Sequence, residues 1–185
     1  MPRDRRTFMV ILLIGPKGAG KSTLREWLEQ RGWKSVYVEA LYDEFDKARA
    51  HTVDAPSEDL RDLVYRTARD RMIEQAKTHD VVFDGTGSSF RFDAFYNAVK
   101  AACDPCRLVF VDAPRELAYA RTQQRNADTH RPFDRAYFDR VYDDCHKRLD
   151  QADAVIENNT TRSELLRAFQ TWLFGQSCQS GYFGV

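Results

Sequence analysis

Long apolar runs are missing from this chain. The longest, Phe8 to Ile14, is far too short to cross a bilayer, and the arginines before it lead to no small-residue cleavage site. A cytoplasmic protein with no membrane contact is expected. An excess of charge of either sign is also missing: 28 Lys plus Arg balance 28 Asp plus Glu, so no global positive field gathers a polyanion. A local basic groove stays compatible with that balance. Glycine is scarce at nine residues, phenylalanine reaches twelve, and no heptad run is present, which excludes collagen-like, coiled-coil and wholly disordered chains. Four cysteines are too few for a disulfide framework at this length. Cys103 and Cys106 form a lone C-x-x-C, and only Cys145 with His146 offers the other half of a zinc set, so free thiols are expected. No Pro/Gly/Ser-rich linker, internal repeat or low-complexity tract divides the sequence. One domain over residues 1–175 is expected, with an aperiodic tail over 176–185 that frays.

What is present is an alternation of short apolar runs with longer helical patterns. The runs are Phe8 to Ile14, Ser35 to Val38, Val81 to Phe83, Leu108 to Val111 and Ala154 to Ile156. They are apolar nearly throughout, as strands covered on both faces must be, and they predict a central parallel sheet wrapped by helices, an α/β fold. Lys21 to Arg31 reads as a helix stopped by Gly32, and Ser57 as the cap of a long helix with Leu60, Leu63, Val64, Ala68 and Met72 on its buried stripe. Pro114 opens a helix towards Arg125. Asp134 caps another, with Tyr137, Phe138, Val141, Tyr142, Cys145 and Leu149 as its core stripe. A last helix from about Ser163 buries Leu165, Leu166, Phe169 and Trp172.

The segment Gly15 to Thr23, GPKGAGKST, directly follows the first strand and opens the first helix, the context that a G-x-x-x-x-G-K-[ST] phosphate loop requires. Gly18 and Gly20 let the backbone bend so that successive N–H groups, from Gly15 and Lys17 through Ala19 to Thr23, point at one phosphate. Lys21 neutralises the β- and γ-phosphates of a nucleotide, and the Ser22 hydroxyl completes a Mg²⁺ shell. A plain glycine turn accounts for the glycines but for neither Lys21 nor Ser22.

Other strand ends must tell kinases, GTPases and motors apart. Asp84-Gly85-Thr86-Gly87 satisfies both the D-x-x-G of a GTPase and the D-G opening of small nucleotide kinases. Guanine recognition wants N-K-x-D, and the chain offers only Glu157-Asn158-Asn159-Thr160. Asp84, at the carboxyl end of a buried strand, is placed to hold Mg²⁺ or to orient an acceptor. Arg121 and Arg125, four apart, share a helical face from which they bracket a transferring phosphoryl group, with Arg131 beyond them in a short polar lid over about 121–133. An acceptor hydroxyl needs a base. Asp43 and Glu39, four apart after the second strand, both qualify, and Asp43 is the expected one. Arg91 is a candidate contact for an anionic acceptor.

Three stretches carry a family resemblance: GPKGAGKST; VVFDGTGSSFRFDAF; and VFVDAPRELAYARTQQR followed by RPFDRAYFDRVYDDC. Together they thread the chain from Met9 to about Asp150, and it resembles the small P-loop kinases of the adenylate kinase, zeta-toxin and polynucleotide 5′-kinase type. The likeness is closest to the kinase domain of phage polynucleotide kinases. The resemblance implies a three-layer P-loop NTPase sandwich around a parallel five-stranded sheet, with a short arginine-bearing lid. It implies an ATP-dependent phosphotransferase, which with Mg²⁺ is expected to move the γ-phosphoryl group onto a hydroxyl or phosphate of a nucleoside, nucleotide or polynucleotide 5′ end. Lys21 and Ser22 match the phosphate and metal residues, Asp84 the acceptor-side aspartate, and Arg121 and Arg125 the lid arginines. With Asp43 as the base the match departs at Asp46, which then stands where polynucleotide kinases carry an arginine. A nucleotide-binding switch acting on a protein partner and a sugar-nucleotide kinase of the zeta-toxin kind remain alternatives.

Overall fold

Five strands form one sheet because each central strand sends apolar side chains to both faces. In the computed structural model, which describes residues 7–46, 57–128 and 134–180 (residues 128 and 176–180 in backbone only), the first strand β1 (Val10–Ile14) is buried along its whole length. Val10, Leu12 and Ile14 join one hydrophobic cluster, while Ile11 and Leu13 join the other on the opposite face. That alternation is the two-residue period of a strand with helices on both sides.

After β1 come α1 (Lys21–Glu29), β2 (Lys34–Tyr37), α2 (Val38–Phe45), α3 (Glu58–Gln75), β3 (Val81–Asp84), α4 (Phe92–Ala102), β4 (Cys106–Asp112), α5 (Arg115–Asp128), α6 (Arg135–His146), β5 (Ala154–Glu157) and α7 (Arg162–Ser180). The sheet order is β2-β3-β1-β4-β5, and every pairing is parallel. Helices α2, α3 and α4 cover one face; α1, α5 and α7 cover the other, joined there by Phe138 of α6. This is the expected three-layer α/β sandwich.

The expected caps form as well. Ser57 Oγ accepts from Leu60 N at 3.2 Å, and the Asp134 carboxylate accepts from Ala136 N and Tyr137 N. Aromatic packing knits α4 to the sheet, with the Phe83 and Phe95 rings 4.7 Å apart and Phe83 and Phe92 fully buried. Each such ring contributes about 1.5–3 kcal/mol of burial.

Several boundaries differ from expectation. The second strand ends at Tyr37, because Val38 already opens α2. The edge strands β2 and β5 are partly exposed rather than buried on both sides, since each has a neighbour along only one side. Helix α4 has no counterpart in the sequence reading, although Phe92, Phe95, Tyr96 and Val99 recur at helical spacing and all four are buried. Tyr137 leaves the core stripe assigned to it and is exposed, and Leu149 lies in a separate 3-10 turn, Leu149–Gln151. The backbone of α7 stays helical to Ser180, past the point where fraying was expected. Cys103, Cys106 and Cys145 are free and buried, and no cluster of potential metal ligands forms among the described residues. No helix among those residues is long and apolar enough to cross a membrane.

Candidate active site

In an open parallel sheet, ligands bind outside the carboxyl ends of the strands. Strand register brings Leu13 of β1, Asp84 of β3 and Tyr37 of β2 into one row at that edge. The loop leaving β1 at Gly15 then curls over this row and enters α1 at Gly20. Backbone geometry explains the glycines. Gly18 has φ +77°, and a Cβ there would lie 2.2 Å from Ala118 O; Gly20, at φ +101°, would drive one to 2.5 Å from Asn158 Nδ2. Neither position admits a side chain. No side-chain cap and no acidic residue occupies the first turn of α1, so its N–H groups and the positive end of its dipole are left for an anion.

A cavity of about 280 Å³ opens above the loop, between the loop, β2–α2, the β3 end and the α5 arginines. Lys21 is buried beside it, with Nζ donating to Gly15 O at 2.9 Å and Pro16 O at 2.8 Å. Burial pulls its pKa below the ordinary lysine value, against the opposing charge of Asp84. The ammonium is therefore a fixed charge short of counter-ions, which phosphate oxygens would supply.

Asp84 ends β3 and is only 2% exposed. Its Oδ2 accepts from Ser22 Oγ at 3.1 Å and from Arg25 Nε at 3.3 Å. Burial raises its pKa in spite of Lys21, Arg25 and Ser22. Adjacent hydroxyl and carboxylate oxygens are hard donors of the kind Mg²⁺ takes when phosphates complete its shell, so Ser22 and Asp84 fit the metal role expected of them. A stability consequence follows from the sign of the shift. The Asp84 carboxyl binds its proton more tightly in the folded chain, so its contribution is full below the ordinary carboxylate range and is lost as pH rises through the elevated value. Ionised Asp84 is thus a cost at neutral pH. Asp84→Asn should leave the melting temperature unchanged or raise it by roughly 2–4 °C, while lowering Mg²⁺-dependent nucleotide affinity about tenfold or more. Thermal unfolding and calorimetry with and without Mg²⁺ measure both, and a large fall in melting temperature would contradict the assignment.

Glu39 is the second carboxylate of the cavity. It lies in the first turn of α2, where one oxygen accepts from the Tyr37 hydroxyl and Oε1 pairs with Lys17 Nζ at 3.6 Å. Burial works to raise its pKa, but Lys17, the Tyr37 hydroxyl, Arg125 and Lys21 outweigh it and bring the value to about 2. Asp43, the residue expected here, is exposed and lies outside the cavity wall. One further turn along α2 carries it away from the loop.

Arg121 and Arg125 both line the cavity, as their spacing implied. Arg121 is tethered: Nη1 donates to Asn158 O and Nη2 to Thr160 O, each at 3.2 Å. Arg125 is exposed on the next turn. Arg131 falls outside the described residues. Arg91 does not reach the cavity wall; its guanidinium binds Glu58 at 2.6 Å and also pairs with Asp62 on α3, so local acidic residues occupy it.

Four contributors escape the sequence reading. Arg25 adds a cation beside Asp84, and its guanidinium lies 4.8 Å from the Tyr37 ring centroid. Tyr37 holds Glu39. Tyr137 brings its ring to the cavity mouth, with Lys17 Nζ 5.5 Å from the ring centroid. Asn158, seen in the sequence only as part of a failed guanine motif, braces the loop from behind by donating Nδ2 to Ala19 O at 2.7 Å.

Several solved structures share this architecture. A shikimate kinase from Acinetobacter baumannii, in complex with shikimate, has a TM-score of 0.63 at 21% identity, covering 92% of this chain and 96% of that one. A gluconokinase from Sinorhizobium meliloti gives 0.59 at 15% identity, with coverage of 95% and 99%. A chain of the Pnkp1/Rnl/Hen1 RNA repair complex gives 0.67 at 17% identity over 82% of this chain but only 48% of its own length. At these identities the likeness establishes a shared fold and nothing finer. No curated protein matches the sequence. Residues 10–147, which run from the first residue of β1 past the end of α6, match the family described as AAA domain, and the chain belongs to that family.

Proposed function

We propose that the protein is a phosphotransferase that moves the γ-phosphoryl group of ATP to a hydroxyl of a nucleoside, nucleotide or polynucleotide 5′ end. The observation that carries this reading is the convergence on one cavity of a phosphate loop, the Ser22–Asp84 pair and a separate ionised carboxylate, Glu39. A nucleotidase or switch needs the first two. The third, lining the same cavity as the loop, is what a hydroxyl acceptor requires.

Phosphoryl transfer is catalysed mostly by positioning and countercharge. The loop N–H groups and Lys21 hold the β- and γ-phosphates, while Arg121 and Arg125 meet charge developing on the transferred group. Mg²⁺, held by Ser22 and Asp84, would neutralise charge shared between those phosphates. Glu39 receives the acceptor's proton as the acceptor oxygen bonds to γ-phosphorus, and the bond to the β-phosphate oxygen breaks to leave ADP. Acceptor identity is supported by the tyrosines at Tyr37, Tyr42 and Tyr137, which supply aromatic surface to the cavity. The resemblance to polynucleotide kinases and the TM-score of 0.67 to a chain of an RNA repair complex favour the same acceptors.

The test is transfer of label from γ-labelled ATP, with Mg²⁺, to a panel of nucleosides, mononucleotides, 5′-hydroxyl oligonucleotides and sugar nucleotides. Label on a nucleoside, a mononucleotide or an oligonucleotide end is expected. Label on sugar nucleotides alone would move the acceptor to the zeta-toxin class. Release of inorganic phosphate with no labelled acceptor would replace the kinase reading with that of an ATPase switch.

A further inference from the structure

Lys17 is a loop cation that faces the acceptor carboxylate instead of the phosphate cradle. It stands two residues after Gly15, yet its Nζ is 3.6 Å from Glu39 Oε1, beyond direct hydrogen-bond length, and the two side chains keep 26% and 34% of their exposure. An ion pair that open and that long is easily exchanged. Lys21, in contrast, is buried and fixed on two carbonyl oxygens. The other oxygen of Glu39 is held independently by the Tyr37 hydroxyl, whose ring lies against Arg25. The groups that act on Glu39 are therefore the charges of Lys17 from the loop, Lys21 from the start of α1 and Arg125 from α5, the Tyr37 hydroxyl from β2 and, with opposing sign, Asp84 from β3.

We propose that Lys17 is an exchangeable counter-ion: in the nucleotide-free protein it blocks Oε1 of Glu39, and the phosphates of an arriving nucleotide draw it off, exposing Oε1 to the acceptor hydroxyl while Tyr37 keeps the carboxylate oriented. Lys17 and Tyr37 are then positioning residues, and the nucleotide readies the base before the acceptor enters. The inference rests on the kinase reading of this cavity. It adds a thermodynamic coupling that the reading does not require, because Glu39 and the nucleotide compete for one ammonium group.

A double-mutant cycle on nucleotide affinity isolates this competition without any acceptor. The probe is a non-hydrolysable ATP analogue with Mg²⁺, titrated calorimetrically into the full chain at neutral pH. Glu39→Gln, which removes the competitor, should tighten binding roughly three- to fivefold when Lys17 is present. In the Lys17→Met background the same change should give less than about a twofold gain, and Lys17→Arg should restore most of the coupling. Lys17→Gln serves equally should the Met variant fold poorly. An equal gain with and without Lys17 would mean only general charge repulsion and would overturn the proposal, as would no gain in either background. Failure of the unaltered protein to bind the analogue would overturn the kinase reading itself, a result separable from both.

Discussion

Lys21→Met is expected to reduce phosphoryl transfer by roughly 10³-fold or more, the scale on which loss of one preorganised charge in a reacting centre is felt. The protein should stay folded. The two outcomes are linked by the environment of the side chain. Lys21 is buried, and burial pulls its pKa down against the attraction of Asp84. A lysine whose folded pKa is depressed binds its proton more tightly in the unfolded chain, so stability rises with pH between the depressed value and 10.5. At neutral pH the ionised ammonium therefore works against folding. Methionine keeps most of the apolar stem and removes that charge; what it gives up is donation to Gly15 O and Pro16 O, at about 1 kcal/mol each. Circular dichroism should show native helix content and a melting temperature within a few degrees of the unaltered protein, while the labelled-ATP assay falls to background. A variant that unfolds would make Lys21 a structural residue. A folded variant with full transfer would remove the phosphate loop from the chemistry.

The central strands and the phosphate loop were legible because their constraints are local. A strand covered on both faces is apolar at consecutive positions, and a loop that turns three or four N–H groups onto one anion needs glycine where a Cβ would strike neighbouring backbone. Asn158 and Arg91 were not legible, since their partners are distant in sequence: Asn158 binds Ala19, and Arg91 binds Glu58 and Asp62 on α3. Tyr37, and the order of preference between Glu39 and Asp43, were hidden for a different reason. The turn from β2 into α2 comes one residue earlier than the apolar pattern suggests, because Val38 is as acceptable in a helix start as at a strand end. Glu39 is the acidic residue of the first helical turn and lines the cavity, whereas Asp43 lies a turn further on. Spacing alone shows Glu39 and Asp43 to share a helical face, but only the position of the helix start shows which of them reaches the loop.

The choice between those two carboxylates carries the other large effect. Glu39→Gln should lower kcat by roughly 10²- to 10⁴-fold, the range for loss of a positioned general base. Asp43→Asn should change it by less than about twofold, as for an exposed side chain outside the site. Nucleotide affinity must not fall in the glutamine variant, which separates loss of the base from loss of the cradle. The pH dependence sharpens the test. Lys17, the Tyr37 hydroxyl, Arg125 and Lys21 hold Glu39 at about 2 in the free protein, so the carboxylate stays ionised far below neutrality. For kcat/KM, which reports groups of the free enzyme, no acid limb from Glu39 is then expected between pH 7 and about 4 once the ionisation of ATP itself is accounted for. Tyr37→Phe removes the hydroxyl that favours the charged form and should bring such a limb up into the measurable range while leaving ATP affinity near its original value. Full activity of Glu39→Gln alongside collapse of Asp43→Asn would return the base to the exposed side of α2, and with it the acceptor to a site outside the cavity.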